Sequence, residues 1–449
     1  MQHGQLRTHR QLRGWSEDDL VRELVSLGIE LDERQLGVSA SLISRWEHGV
    51  TQPRAPYPKL LCRLFNATAE ELGLTVPSPA PSEDLQRLGL DYTSSIPDTL
   101  DAVDKLGRAD IKRRVFLKTA LFAVAASIGP SRDWLLATLE QATFPNRKVT
   151  TDHVEAIRRT FGIFQELDVM RGGGHARKEL ASYLTSTVTP LLRTNDASTD
   201  SGRALYEAGA EQLYLVGWMA FDDGEHVLAQ RYLIQALRLS QEARSAELGA
   251  HVLAGLSDQA TLTGHPDQGL QLARAGRAGL RHGHSPACFA DLWALQARAE
   301  AALGDGKAAA RSVLESERAA EAIHLPDEPE WARFIDAAYL NGEYGHAFRD
   351  LNRPREANAF AARSAAEAAR QKRARRGSLA HATLARAALA DHDLQAAATE
   401  AATTVRLATT VRSSRSIDAV ADLRQRLAAH QDSPPVADFF DLANTLLPT

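Results

Sequence analysis

Two interleaved series of small residues, held in one register, constrain this chain more than any other feature. Ala229, Leu233 and Ala236 form a set spaced four and then three residues apart. Equivalent sets follow at Gly269, Ala273 and Gly276, at Ala309, Val313 and Ser316, at Ala357, Ala361 and Ser364, and at Ala397, Ala401 and Thr404. Their first members lie 40, 40, 48 and 40 residues apart. Twelve residues before each first member stands another small residue: Gly217, Ser257, Ala297, Gly345 and Ala385. A turn signal separates the two members of every pair, at Asp222-Asp-Gly224, Gly264-His-Pro266, Gly304-Asp-Gly306, Asn352-Arg-Pro354 and Asp391-His-Asp393. Small residues at these spacings let the two helices of a hairpin approach closely. A fixed period means that one hairpin is stacked on copies of itself. A single hairpin cannot bury its apolar face, whereas stacked hairpins share a continuous core and curve into a superhelix.

The pattern is that of a tetratricopeptide-like α-solenoid with helices longer than the commonest repeat of that kind. At least five repeats are expected, with an insertion near His324-Leu-Pro-Asp-Glu-Pro329 accounting for the longer gap. Residues 152–193 read as a further hairpin out of register, and 413–447 as a terminal cap. Alanine runs at 359–369 and 396–402 favour helix, and alternating β-branched segments are nearly absent. The expected fold class is therefore all-α, with three regions: a helix-turn-helix bundle at 1–74, a Pro-rich linker and connecting helices at 75–150, and the repeats at 151–449. The linker begins with Thr75-Val-Pro-Ser-Pro-Ala-Pro-Ser82, where alternating prolines block helix continuation.

Charge and cysteine content narrow the function. The net charge is −5, so any nucleic-acid binding must come from a local patch. Cys62 and Cys288 are the only cysteines, too few and too far apart for a metal set or a disulfide framework. Met1 to Arg13 is polar and basic, with no apolar stretch of a secretory signal. Lys112-Arg-Arg-Val-Phe-Leu-Lys118, with the apolar run to Gly129, copies a twin-arginine export motif. It lies behind a folded domain and is too short to span a bilayer. A helix packed on the repeats is the expectation there, in a cytoplasmic protein with no membrane partner.

The stretch Leu36-Gly-Val-Ser-Ala-Ser-Leu-Ile-Ser-Arg-Trp-Glu-His-Gly49 is the most informative part of the N-terminal region. Gly37 supplies a turn, and Ser39 or Ser41 can cap the helix that follows. Leu42, Ile43 and Trp46 share one face and would pack inward. That leaves Ser39, Ala40, Ser41, Ser44 and Arg45 on the leading outer edge, where short polar residues and one arginine suit base edges and phosphates. Arg54 follows, placed to touch the backbone of a duplex. The helix over roughly Lys59 to Phe65 is announced by Pro53, Pro56 and Pro58. Ser16 with Asp19, and Thr68 with Glu71, read as capping boxes.

On Arg10, Arg13-Gly14-Trp15-Ser16, Asp19-Leu20, Gly37-Val38-Ser39, Ile43-Ser44-Arg45-Trp46-Glu47-His48-Gly49 and Pro53, residues 4–74 resemble the XRE (Cro/C1-type) helix-turn-helix family. The resemblance implies double-stranded DNA as a partner and a structural ion pair between Arg10 and Glu47. Two departures stand out. Glu17 occupies the position where the family usually has a phosphate-binding glutamine, and about a dozen residues, Val25 to Gln35, separate the second-helix signature from Gly37-Val38. Residues 1–74 hold nine Lys/Arg against ten Asp/Glu, so one copy alone would bind weakly and a homodimer would double the contacts. The whole chain resembles actinobacterial XRE-type regulators with a C-terminal tetratricopeptide sensor, notably at Gly217-Trp-Met-Ala-Phe-Asp-Asp-Gly-Glu-His226 and Arg171-Gly-Gly-Gly-His175.

Other signals read blandly. Gly172-Gly-Gly174 lacks the strand and lysine of a phosphate loop, so a chain-reversing turn is expected, with His175 at the surface. Gln371-Lys-Arg-Ala-Arg-Arg376 reads as a solvated helix end, with a contact to DNA or an acidic partner as the alternative. His282 and His284 have no ligands at metal spacing. No catalytic motif appears, so neither an enzyme nor a cofactor is expected. A peptide or small-molecule effector would meet polar and aromatic residues on the first helices of the repeats, with Tyr214, Trp218, Trp293, Gln296, Asn341 and Tyr344 as candidates. Trp218, next to Gly217, is equally explained as core. The leading expectation is a ligand-responsive transcriptional regulator. The alternative is a protein-interaction adaptor that keeps a non-DNA-binding helix-turn-helix relic.

Overall fold

The computed structural model describes residues 5–30, 37–48, 51, 53, 56–65, 67, 72–74, 88–93, 95–111, 151–280 and 285–447. The chain divides into two compact units, residues 1–80 and 81–449. The described residues are helical or connect helices, and the protein is all-α.

The first unit holds α1 (Gln5–Leu12), α2 (Glu17–Glu30), α3 (Ala40–Glu47) and α4 (Tyr57–Phe65). The Ser16 N–H donates to Asp19 Oδ2 at 2.7 Å, and the Asp19 N–H donates back to Ser16 Oγ at 3.1 Å, a capping box with a short acid at the start of α2. The insertion expected at 25–35 is partly helix, because α2 continues to Glu30. Residues 31–36 and the Thr68–Glu71 box lie outside the described residues. Leu6, Leu20, Leu24, Ile43, Leu61 and Phe65 close a small core, each contributing about 1.5–3 kcal/mol by leaving water.

In the second unit the five repeats form five hairpins. They are α9 (Asp200–Asp222) with α10 (His226–Glu242), α11 (Ala246–Leu262) with α12 (Pro266–Gly279), α13 (Pro286–Ala302) with α14 (Gly306–Ala320), α15 (Ala337–Asp350) with α16 (Pro354–Arg370), and α17 (Ala374–Ala390) with α18 (Leu394–Ala408). Before them come α5 (Ile96–Ile111), α6 (Thr151–Arg171), α7 (Arg177–Tyr183) and α8 (Thr189–Arg193), and after them α19 (Ser414–Leu427) and α20 (Pro434–Leu446). The hairpin turns are closed by left-handed residues, Gly224, Gly264, Gly304, Asn352 and His392, which let the last N–H groups reach back to orphan helix carbonyls. A Cβ on Gly217 would stand 3.2 Å from Leu233 Cγ, so the small residue sets the close approach of α9 and α10. The repeats also reuse one cross-hairpin bond. Ser316 Oγ donates to the Ala290 carbonyl at 2.6 Å, and Ser364 Oγ donates to the Ala338 carbonyl at 2.7 Å, both across 26 residues.

Consecutive first helices pack on one another, while second helices pack on their own hairpin and, except where the insertion precedes α15, closely on the next first helix. The first helices therefore form the inner layer. Residues 152–193 are not a sixth hairpin. α6 packs against α9 and touches α17, whereas α7 packs against α5. Residues 88–93 and 95–111 cap the array from outside, with Gln235 Nε2 donating to the Gly89 carbonyl at 2.9 Å and Arg238 Nε to the Thr93 carbonyl at 2.7 Å. The twin-arginine-like segment 112–129 lies outside the described residues.

The array closes on itself. The Arg412 N–H donates to the Arg171 carbonyl at 2.7 Å, and the Gly174 N–H to the Arg412 carbonyl at 3.2 Å. A Cβ on Gly172 would fall 2.4 Å from the Arg412 carbonyl oxygen, and one on Gly173 2.5 Å from that of Met219. The triple glycine is a turn where three backbones meet. His175 beside it is exposed.

Candidate nucleic-acid interface

In the first unit α3 starts at Ser39, whose backbone is extended and whose Oγ accepts from the Leu42 N–H at 3.3 Å. Ile43 and Trp46 are buried, and the Trp46 ring lies 5.0 Å from that of Tyr57. This anchoring turns the other face outward. Ser39, Ser41 and Arg45 are exposed, and Ala40 and Ser44 are half-buried. Arg54 lies outside the described residues.

The far end of α3 is fixed by a fork-to-fork ion pair. Arg10 Nε donates to Glu47 Oε1 at 2.6 Å and Arg10 Nη2 to Glu47 Oε2 at 2.7 Å, while Nη1 donates to the Trp15 carbonyl at 2.8 Å. Both side chains are buried. The Glu47 hydrogen bonds raise the Arg10 pKa against the opposing effect of burial, which keeps the guanidinium charged. Glu17 is part of the same arrangement, its Oε1 standing 3.9 Å from Arg10 Nη2. Arg13 donates from Nη1 to the Leu64 carbonyl at 2.5 Å and lies over the Trp15 and Phe65 rings, so it ties α1 to α4.

The six residues expected to meet an effector are not brought together. Tyr214 is buried, with its ring 4.2 Å from His251. Tyr344 is buried against Phe360 and shares a 2.7 Å hydrogen bond with Ser316 Oγ. Trp293 lies under the Arg277 guanidinium at 3.4 Å, and Gln296 Oε1 accepts from the same arginine at 2.7 Å, both on the side facing the second helices. Asn341 Nδ2 donates to the Ala337 carbonyl of its own helix at 2.8 Å. Trp218 alone of the six stands toward the inner side, 5.7 Å below Arg415. Aromatic and polar residues serve equally between layers and on an inner face, so residue type could not separate the two. A positional signal could have done so. The residues that directly follow the five small ones are Trp218, Asp258, Arg298, His346 and Arg386, and these face inward.

That inner side is largely filled by the chain itself. The insertion before α15 turns in, and Trp331 stacks on His251 at 4.8 Å with Phe334 beside it at 5.8 Å. Gln165 of α6 reaches the Trp331 carbonyl. Below them runs a buried ionic network. Arg298 Nη1 donates to Asp258 Oδ1 at 2.7 Å and to Glu343 Oε2 at 2.9 Å, and Arg376 Nη1 donates to Glu343 Oε1 at 2.9 Å. The basic run 371–376 is therefore not a solvated helix end. Arg373, Arg375 and Arg376 all point into carboxylates. Burial pushes the Asp222 carboxyl up, but Arg375, Arg415 and the Gly173 N–H outweigh it, and its pKa lies below the usual value.

Among the described residues no cluster of metal-ligating side chains occurs and no helix is long and apolar enough to cross a membrane. His282 and His284 lie outside them. Compared with family models, curated proteins and solved structures, the chain matches none.

Proposed function

We propose that this chain is a sequence-specific, DNA-binding transcriptional regulator of the XRE type, acting as a cytoplasmic homodimer, whose helical-repeat unit receives a peptide or small-molecule effector. One observation carries the reading. α3 is short, pinned from behind by Ile43, Trp46 and the Arg10–Glu47 pair, and presents Ser39, Ser41 and Arg45 to solvent. Small side chains at the start of such a helix permit close approach to a major groove, and an arginine after them can pair with guanine or phosphate. An effector would act by preferring one arrangement of the dimer over another.

The test is selection of bound duplexes from a random pool by the full chain, followed by anisotropy titration at moderate salt. An enriched motif bound far more tightly than scrambled DNA supports the reading. No enrichment would sink it. The adaptor reading is favoured by one feature, the acidic first turn of α2, where Glu17, Asp18 and Asp19 stand together. Phosphate would be repelled there. In that case the chain would capture protein partners and retain no motif.

A further inference from the structure

A cleft of about 270 Å³ opens on the inner layer. Its apolar floor is Phe221, Leu262, Leu379 and Ala382. Around that floor stand four arginines, Arg298, Arg349, Arg386 and Arg415, with His226 and His346. Two carboxylates, Asp418 and Asp422, share the wall. A smaller cavity of about 170 Å³ adjoins at Arg349 and Arg386 and adds Arg353 and Arg426.

The cations are not all spent on these acids. Arg298 is neutralised by Asp258 and Glu343, and Arg349 pairs with Asp350 at 2.7 Å. Asp422 is gripped by Arg426 at 2.8 Å and stands 3.8 Å from Arg386. Arg415 rests over the Trp218 and Phe221 rings. Asp418 is exposed. Arg386 is thus left with little direct compensation, while Arg415 acts on the buried Asp168, Asp222 and Asp258 without an ion pair among the described residues. Burial lowers the Arg386 pKa to about 10, the signature of a charge taken out of water without a full partner. One nearly fully buried lining group also has an unused polar atom: Arg298 Nε has no hydrogen-bond partner, whereas His346 Nδ1 faces Glu343 Oε2 at 3.5 Å. Native interiors seldom leave such atoms unmatched.

We infer that this cleft is a binding site for a small amphipathic organic anion, whose carboxylate or phosphate sits between Arg386 and Arg415 and whose apolar body lies on Phe221, Leu262 and Leu379. The planar guanidinium fork matches either anionic group. The volume is nearly twice the ~150 Å³ that takes up one benzene, so a body larger than a single ring fits. Because the wall comes from α9, α10, α11, α13, α15, α17 and α19, the ligand would join both ends of the array. The site is read from the second unit alone, and its failure would leave the DNA-binding reading standing.

Calorimetric titration of the full chain with 2-naphthoate and 2-naphthyl phosphate tests the site, with neutral naphthalene-2-methanol as comparator. At least one anion should bind, about tenfold or more tighter than the alcohol. Arg386→Gln and Arg415→Gln should each weaken it by about tenfold, while Arg277→Gln on the outer side leaves it unchanged. Arg386→Lys, with a cation but no fork, should fall between. Melting temperatures of the unliganded variants identify any that fail to fold, and Arg386, held by one 3.8 Å ion pair, is the position least exposed to that outcome. Equal binding of the alcohol, no binding of either anion, or unchanged affinity in folded Arg386→Gln overturns the proposal.

Discussion

Arg375 donates to Asp222 at 2.8 Å across 153 residues of chain, joining the fifth hairpin to the end of the first. The same guanidinium holds Asp168 of α6 at 2.8 and 3.1 Å, and Asp222 also accepts from the Ser413 hydroxyl at 2.8 Å and the Gly173 N–H at 2.9 Å. One cation thus satisfies acids from two distant segments and closes the superhelix. Arg375→Ala strands two buried carboxylates. The expected loss is about 3–5 kcal/mol, read as a lower urea midpoint for the repeat unit. Arg375→Lys should recover only part, since a point charge cannot grip both acids.

Glu47→Ala tests the first unit in the same way. Arg10 would be left buried with the Trp15 carbonyl and, at 3.9 Å, the Glu17 carboxylate, costing about 3 kcal/mol. Amide exchange across residues 5–47 should accelerate. Exchange across residues 200–446 should stay as it was, because the pair lies wholly within the first unit. Slow exchange in both units would contradict the role given to the pair.

If α3 reads DNA, Arg45→Ala should cost about 1–3 kcal/mol at the selected motif and relax preference at one base position. Arg54→Ala should weaken all duplexes alike and make binding less salt-dependent by about one counterion. A competition assay against single-base variants at two salt concentrations separates the two effects.

Asp291 sets one part of the pH response. It is buried, accepts from Tyr339 Oη at 2.9 Å, and burial pushes its pKa up to about 8. The folded chain therefore keeps a proton that the unfolded chain releases near its ordinary value. This contribution is whole at acid pH, declines as pH rises between those two values, and is fully lost above about 8. Asp291→Asn should be more stable than the parent at pH 8.5 and nearly equal at acid pH, with a difference changing by up to ~1.4 kcal/mol per pH unit between. Thermal unfolding across that range checks it.

His251 works with the opposite sign. It is stacked on Trp331 and tilted against Tyr214, neither ring nitrogen has a hydrogen-bond partner, and burial lowers its pKa to about 3. The unfolded imidazole takes up a proton first, so this stability is complete above the ordinary histidine value and drains as pH falls toward about 3. His251→Phe removes both the acid loss and two unmatched nitrogens, so it should raise stability by about 1–3 kcal/mol, more at pH 5 than at pH 7.5. A lower melting temperature at pH 5 would refute this.

The inner face was less legible than the repeats. Spacing alone placed Gly217 twelve residues ahead of Ala229, and that register set the helix pairs, their turns and the insertion before α15. What lines the inside was not readable from aromatic content: Tyr214 and Tyr344 went to the packing between helices. Arg298, Arg386 and Arg415 acquired meaning only once seven helices had converged. The basic run at 371–376 looked solvated because its acids, Asp168, Asp222 and Glu343, are up to 207 residues away.

Local rules determined the helices. Period, caps and small residues act over a turn or a hairpin, and a stretch such as Ser39 to Glu47 carries its own start, buried face and exposed edge. Only the tertiary structure decided that the array closes, that α6 and the insertion occupy its inner side, and that Arg386 and Arg415 line a shared cleft. Those outcomes depend on charges and backbones that meet across hundreds of residues, where Coulomb attraction and desolvation are set by the whole fold rather than by neighbours in the chain.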